Sequence, residues 1–198
     1  MLAVSLLVFW VLARRWTVQS RWMDLADWAA ENRLKLCTRN APTPPEASRL
    51  FGDTAVKALL SLSDDQTTIL QLEAAAPAPS TIGRVLRWNI IIRRLEPAWP
   101  TVALRPVGRP TSIPDYLPLN RMYGTIPGER FAAYGENRSA TLALADSAAR
   151  GLLPPDIAMV LLDHHLMLDF STRPFDSLTL HRMDALAAQL LLHLPARS

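Results

Sequence analysis

The residues of this chain with the most direct chemistry are its four histidines and the carboxylates beside them. Asp163, His164 and His165 are consecutive, Asp169 follows shortly after, and His181 and His193 stand further on. Imidazole and carboxylate are ordinary ligands for zinc or iron, and a metal-bound water would make such a set hydrolytic. The spacing argues against assembly. Adjacent histidines on a strand point to opposite faces, and no pair has the i, i+4 relation of a helical metal site. The expectation is therefore no metal and no other cofactor. Asp163, His164, His165 and Asp169 are kept as the candidates for the alternative, a metal-dependent hydrolase.

Other chemistries find less support. Ser61, Ser63, Ser139, Ser147, Ser171 and Ser177 are available nucleophiles, but none lies in a Gly-x-Ser-x-Gly elbow that would expose its hydroxyl on a strained turn. The seven glycines are scattered, and Gly124 and Gly128 lack the Lys-Ser/Thr that completes a phosphate-binding loop. Asp64 and Asp65 read as a solvated turn in preference to an acid–base pair. The single cysteine, Cys37, cannot form an internal disulfide and suits a reducing compartment. A nucleic-acid surface needs clustered cations with interleaved aromatics. The nearest case, Arg84, Arg87, Trp88, Arg93 and Arg94, reads instead as the outer face of an amphipathic sheet turned toward anionic lipid. The net charge of +3 gives no stronger reason to expect nucleic acid.

The arginines that matter most lie near the N-terminus. An uncharged apolar run from Leu2 to Ala13 stops at Arg14 and Arg15, with Arg21 close behind. Twelve such residues make a helix of roughly 18 Å against a hydrocarbon core of about 30 Å, short for a span. A signal peptide cleaved near Ala13, with a secreted product, is the rival. It would carry its positive charge before the apolar run, whereas here the charge follows. Under the positive-inside rule this order places the following chain in the cytoplasm, as a single-pass membrane protein. Trp10, Trp16 and Trp22 fit rings settling at headgroup level, and Arg14, Arg15 and Arg21 can snorkel to phosphates.

The elements that must position any site follow from periodicity. Arg21 to Leu34 predicts a helix with Trp22, Leu25, Ala26, Ala29 and Ala30 on one face. Lys35 to Thr38 predicts a short strand, Pro45 and Glu46 open a short helix, and Asp53 to Leu62 predicts an apolar helix. Thr67 to Glu73 and Val85 to Leu95 predict strands, the second alternating as a half-buried sheet does. Thr101 to Pro106 would follow a turn around Pro97 and Pro100 and close a meander. Arg109 to Pro118 reads as a surface loop. Glu129 to Tyr134 predicts a strand and Ser139 to Ala149 a helix capped by Ser139. Pro154 and Pro155 would open a helix carrying Ile157, Val160 and Leu161. Leu166 to Phe170 predicts a strand and Leu178 to Leu194 a final amphipathic helix.

The segments Arg130-Phe-Ala-Ala-Tyr-Gly-Glu-Asn, Leu152-Leu-Pro-Pro, Leu166-Met-Leu-Asp-Phe and Arg173-Pro-Phe-Asp resemble those of a group of uncharacterised bacterial membrane-anchored proteins. The likeness covers roughly residues 129–194 and implies architecture and placement, with no activity to carry over. Taken together, the expected fold is α+β, an antiparallel sheet packed against helices and preceded by an N-terminal apolar anchor helix. Residues 1–20 form the anchor and juxtamembrane segment, and 21–198 a single domain. With 49% hydrophobic and 20% charged residues, a domain of that length can bury a sizeable core. The expected function is a non-catalytic cytoplasmic interaction module whose partners are the bilayer and another protein, met through the sheet and the proline-rich loops.

Overall fold

The computed structural model describes residues 22–38, 41–76, 85–121 and 130–195. The anchor run, Trp10, Arg14, Arg15, Trp16, Arg21, Arg84, Gly124 and Gly128 lie outside the described residues.

The fold is α+β, as the sequence predicts, and is built on a seven-stranded antiparallel sheet. The first helix, α1, covers 22–31 and turns directly into β1 (Lys35–Cys37). Then come α2 (Pro45–Leu50), β2 (Val56–Ser63), β3 (Thr67–Ala75) and β4 (Val85–Pro106). A 3₁₀ turn (Ile113–Tyr116), β5 (Asn120–Arg121) and β6 (Phe131–Gly135) follow. The chain ends with α3 (Arg138–Ala145), α4 (Ala148–Leu152), β7 (Ala158–Asp169) and α5 (Ser177–His193).

Strand β4 is the axis of the sheet. Its first half pairs with β3 and its second half with β6, so β1-β2-β3 and β5-β6 follow one another along one edge. β7 pairs along the other edge with both halves, from Ile90 opposite Asp169 to Leu104 opposite Met159. The expected turn at Pro97 and Pro100 is therefore absent, and β4 continues through it. Proline cannot donate to a ladder. These two sit where that cost is smallest, after the last β3 partner at Arg93 and before the first β6 partner at Val102.

Both faces of the sheet are covered, which corrects the half-buried expectation. Leu60, Leu62, Ile69, Ile91, Val102, Leu161 and Leu168 meet residues of α1, α3, α4 and α5 on one face. Leu70, Leu72, Trp88, Ile90, Ile92 and Met167 meet Ala47, Leu50, Phe51 and Ile113 on the other. Each fully buried large apolar side chain contributes about 1.5–3 kcal/mol, so the two cores share the work of holding the sheet.

Five other expectations are corrected. Most of the stretch 53–62 lies in strand β2 (Val56–Ser63) in place of a helix, and Val160 and Leu161 belong to β7 in place of a helix after Pro154 and Pro155. Pairing and two-sided burial decide both, since a strand covered on both faces loses its polar alternation. The segment after β4 is no surface loop, because Ser112, Ile113 and Pro114 are buried against the sheet. Helix α3 is capped by Asn137, whose Oδ1 accepts the Ala140 N–H at 3.0 Å, while Ser139 lies inside it. In α1 the buried stripe is Leu25, Trp28 and Ala29, leaving Trp22, Ala26 and Ala30 exposed. Among the described residues no helix is long and apolar enough to cross a membrane.

Candidate functional site

A cleft of about 370 Å³ opens where the β2–β3 hairpin, α2, β4 and β7 meet. The hairpin turn forms its floor because Asp64 folds back on itself. Its Oδ1 accepts the N–H groups of Gln66 at 2.7 Å and Thr67 at 2.6 Å, and the Asp64 N–H donates to the Thr67 carbonyl at 2.9 Å. This is the short side-chain-to-backbone bonding that makes aspartate a turn residue. Asp65, Thr68, Ile92 and Arg94 continue the wall, and Glu46, His164 and His165 close it.

His164 and His165 both border this cleft, against the expectation that neighbours on a strand diverge. The reason is an irregularity in β7. Its register with β4 shifts on both sides of the Trp99–Asp163 pair, and Asp163 takes a left-handed backbone with φ of 50°. That interruption breaks the two-residue alternation.

Each imidazole is held differently. His164 Nδ1 lies 3.3 Å from the Leu95 carbonyl, which can only accept, so Nδ1–H donates to it. His165 places Nε2 at 3.8 Å from Glu46 Oε1, while its Nδ1 is buried with no partner among the described residues. Burial pushes the His165 pKa below the ordinary 6.5, against the opposing pull of Glu46. His165 thus lies beside Glu46 of α2 as a ring whose burial favours the neutral form.

The remaining candidates are dispersed. Asp163 forms an exposed ion pair with Arg49 of α2 at 2.5 Å. Asp169, opposite Ile90, lies at the far end of β7, about 16 Å along the strand from His164 at ~3.3 Å per residue. There it is only 2% exposed and serves as an acceptor for four donors. These are Arg109 Nη2 at 2.9 Å, the Ile113 N–H at 3.1 Å, the Ser171 N–H at 3.0 Å and Ser171 Oγ at 2.6 Å. His181 and His193 sit on the exposed side of α5, with His193 Nδ1 at 2.8 Å from the Gln189 carbonyl. Among the described residues, no three of His, Cys, Asp and Glu stand close enough to hold a metal ion.

The cationic strand is also divided. Arg87 pairs with Glu73 at 3.0 Å, Arg93 with Asp184 of α5 at 3.2 Å, and Arg94 with Glu96 at 3.4 Å. Trp88, 2% exposed and packed edge-on against Phe51 and Tyr116, has no face to offer a base. Of the membrane-interface set, Trp22 alone is described, and it is 44% exposed.

Glu46, Arg49, Gln66 and Thr68 escaped the sequence because their nearness to His165 and Asp163 is made by tertiary packing. The Asp-Asp-Gln-Thr stretch was the one local signal, since an Asx turn there predicts a tight hairpin beside whatever the strands carry. The C-terminal motifs prove to hold the fold. Asn137 caps α3, and Asp176 caps α5 by accepting the Thr179 N–H at 2.8 Å. Arg173 grips Asp156 with two nitrogens at 2.8 and 2.7 Å, raising its own pKa and holding the Asp156 carboxyl below the usual carboxylate range. No protein-family model, curated protein or solved structure matches the chain.

Proposed function

We propose that this chain is a membrane-tethered, non-catalytic interaction module with its domain in the cytoplasm, and that a partner protein engages the polar cleft at the hairpin end. One observation carries this: three of the four side chains singled out for acid–base or ligand chemistry are engaged in holding the fold. Asp169 fastens the segment after β4, Asp163 is tied to Arg49, and His164 is tied to the Leu95 carbonyl. Groups so engaged are poor proton shuttles, because moving a proton would break the bonds that place them. Both sheet faces are covered and residues 112–114 are packed down, which leaves less of either to meet a partner than the sequence suggests. The cleft, lined by nine polar or charged residues and Ile92, is an exposed concave surface among the described residues. The tether rests on the order of apolar run, arginines and tryptophans at the N-terminus, and the resemblance to membrane-anchored proteins agrees with it.

Photo-crosslinking in native membranes tests the module. A crosslinking residue at Gln66 should give a discrete protein adduct that Asp65→Lys removes and that the same residue at Arg182, on the outer side of α5, does not form. Failure of Gln66 to give any adduct would count against a partner at the cleft.

A second reading, a membrane-bound metal-dependent hydrolase, draws on His164 and His165 bordering a common cleft with Glu46, Asp64 and Asp65, although no three of these stand close enough to hold a metal ion. It requires stoichiometric metal in the purified full chain, lost in His164→Ala and His165→Ala. Metal-free protein would end it.

A further inference from the structure

The described domain begins with two apolar side chains that find no place in either core. Trp22 is 44% exposed and Met23 55% exposed, while Leu25, Trp28 and Ala29 of the same helix are buried. Immediately before them the sequence is cationic, with Arg14, Arg15 and Arg21. After them the exposed side of α1 is acidic, with Asp24, Asp27 and Glu31 all exposed. The sign of the charge therefore reverses along the sequence between Arg21 and Asp24, with the apolar pair at the boundary.

The topology fixes which end of the domain this is. Helix α1 reverses at Asn32 and Arg33, where the Leu34 N–H donates to the Ala29 carbonyl at 2.8 Å. It then enters β1, whose Lys35 lies opposite Ser63 at the hairpin end and whose Cys37 lies opposite Ser61, further from that end. The last turn of α1 is thus at the hairpin end of the sheet, the end where the cleft opens on the opposite face. Its first turn is about 14 Å away at 1.5 Å per residue. Residues 14–21 between the apolar run and α1 can reach at most about 28 Å when fully extended.

We infer that Trp22 and Met23 form a second contact, with an anionic bilayer surface, and that the charge reversal stands the domain on the first turn of α1 with the polar cleft turned away from lipid. This rests on the membrane-tether reading. Indole and thioether side chains settle at the headgroup level, arginines are drawn to an anionic surface, and carboxylates are repelled from it. A helix lying flat would press Asp24, Asp27 and Glu31 toward the lipid phosphates. An upright helix avoids this and keeps the contact to its first turn.

The test places a nitroxide label on the full chain, with Cys37→Ser, at Met23→Cys, Glu31→Cys or Gln66→Cys. Each is reconstituted in vesicles of phosphatidylcholine with phosphatidylglycerol. The label at 23 should be more accessible to oxygen than to a water-soluble nickel complex, and those at 31 and 66 the reverse. On phosphatidylcholine alone the chain should remain bound while the label at 23 shifts toward water. A vesicle-bound chain with position 23 fully aqueous, or with position 66 as lipid-exposed as 23, overturns the inference. A chain that does not sediment with vesicles removes the tether, and the inference with it.

Discussion

Replacing Asp169 by alanine would leave Arg109, whose side chain is 9% exposed, without its carboxylate. It would also strand the Ile113 N–H and both donors of Ser171. Breaking a buried ion pair from one side costs about 3–5 kcal/mol, because the remaining charge is left uncompensated. The stranded donors overlap with that loss and are not added to it. A domain of this size is stable by about 5–15 kcal/mol, so the variant keeps its fold at the margin. With a urea slope of about 2 kcal/mol per M, a loss of ~4 kcal/mol lowers the midpoint by about 2 M. The internal control is Asp156→Ala, whose partner Arg173 is more exposed. That loss should be about 1 kcal/mol. Arg109→Met should match Asp169→Ala, and the double variant should lose less than the sum, as coupled partners do. Urea unfolding of the full chain in lipid nanodiscs, followed by tryptophan fluorescence, measures all four. An Asp169→Ala midpoint equal to that of Asp156→Ala, or above wild type, would refute a fold-holding role and return Asp169 to the list of functional carboxylates.

Gly135→Ala should destabilise by about 1–3 kcal/mol in the same assay, since a Cβ there would lie 2.0 Å from Thr141 Oγ1 and 3.0 Å from Val102 Cγ1. A wild-type midpoint would show that α3 does not press on β6 so closely. His165 has a folded-state pKa below its unfolded value, so the unfolded chain binds more protons between the two. Stability should therefore fall as pH is lowered through the usual histidine range near 6.5, and His165→Gln should flatten that step; an unchanged step assigns it elsewhere. Asp156, lowered by Arg173, contributes stability that is present above the usual carboxylate range and lost as pH falls below it. Asp156→Asn should shallow the acid limb of the stability curve. Arg49→Ala, which removes an exposed ion pair, should cost under about 1 kcal/mol.

Local periodicity made α1, α2, β1, β3, the Asp64–Asp65 turn and α5 readable from sequence, because each carries its own stripe, cap or alternation. The misread elements share a cause. β2 carries a bulge between Ala58 and Leu60, and the first half of β7 is buried on both faces, so neither shows the period of an open strand. Pro97 and Pro100 looked like a turn because their harmless position, between the ends of β3 and β6, exists only in the assembled sheet. The site was half legible. The two histidines were visible as a pair, but their shared cleft depends on the left-handed Asp163 and on Glu46 arriving from α2. Asp169 was visible as a carboxylate, and its Arg109 partner, sixty positions away, was not.

The central claim, that this domain is held at a membrane by its own N-terminus, is tested most directly by fractionating cells that express the full chain and reading the N-terminus of the product in carbonate-washed membranes. The protein should remain in the washed membranes with the apolar run from Leu2 to Ala13 intact. A product in the supernatant that begins at Arg14 would contradict the tether and leave a cleaved, secreted domain in its place.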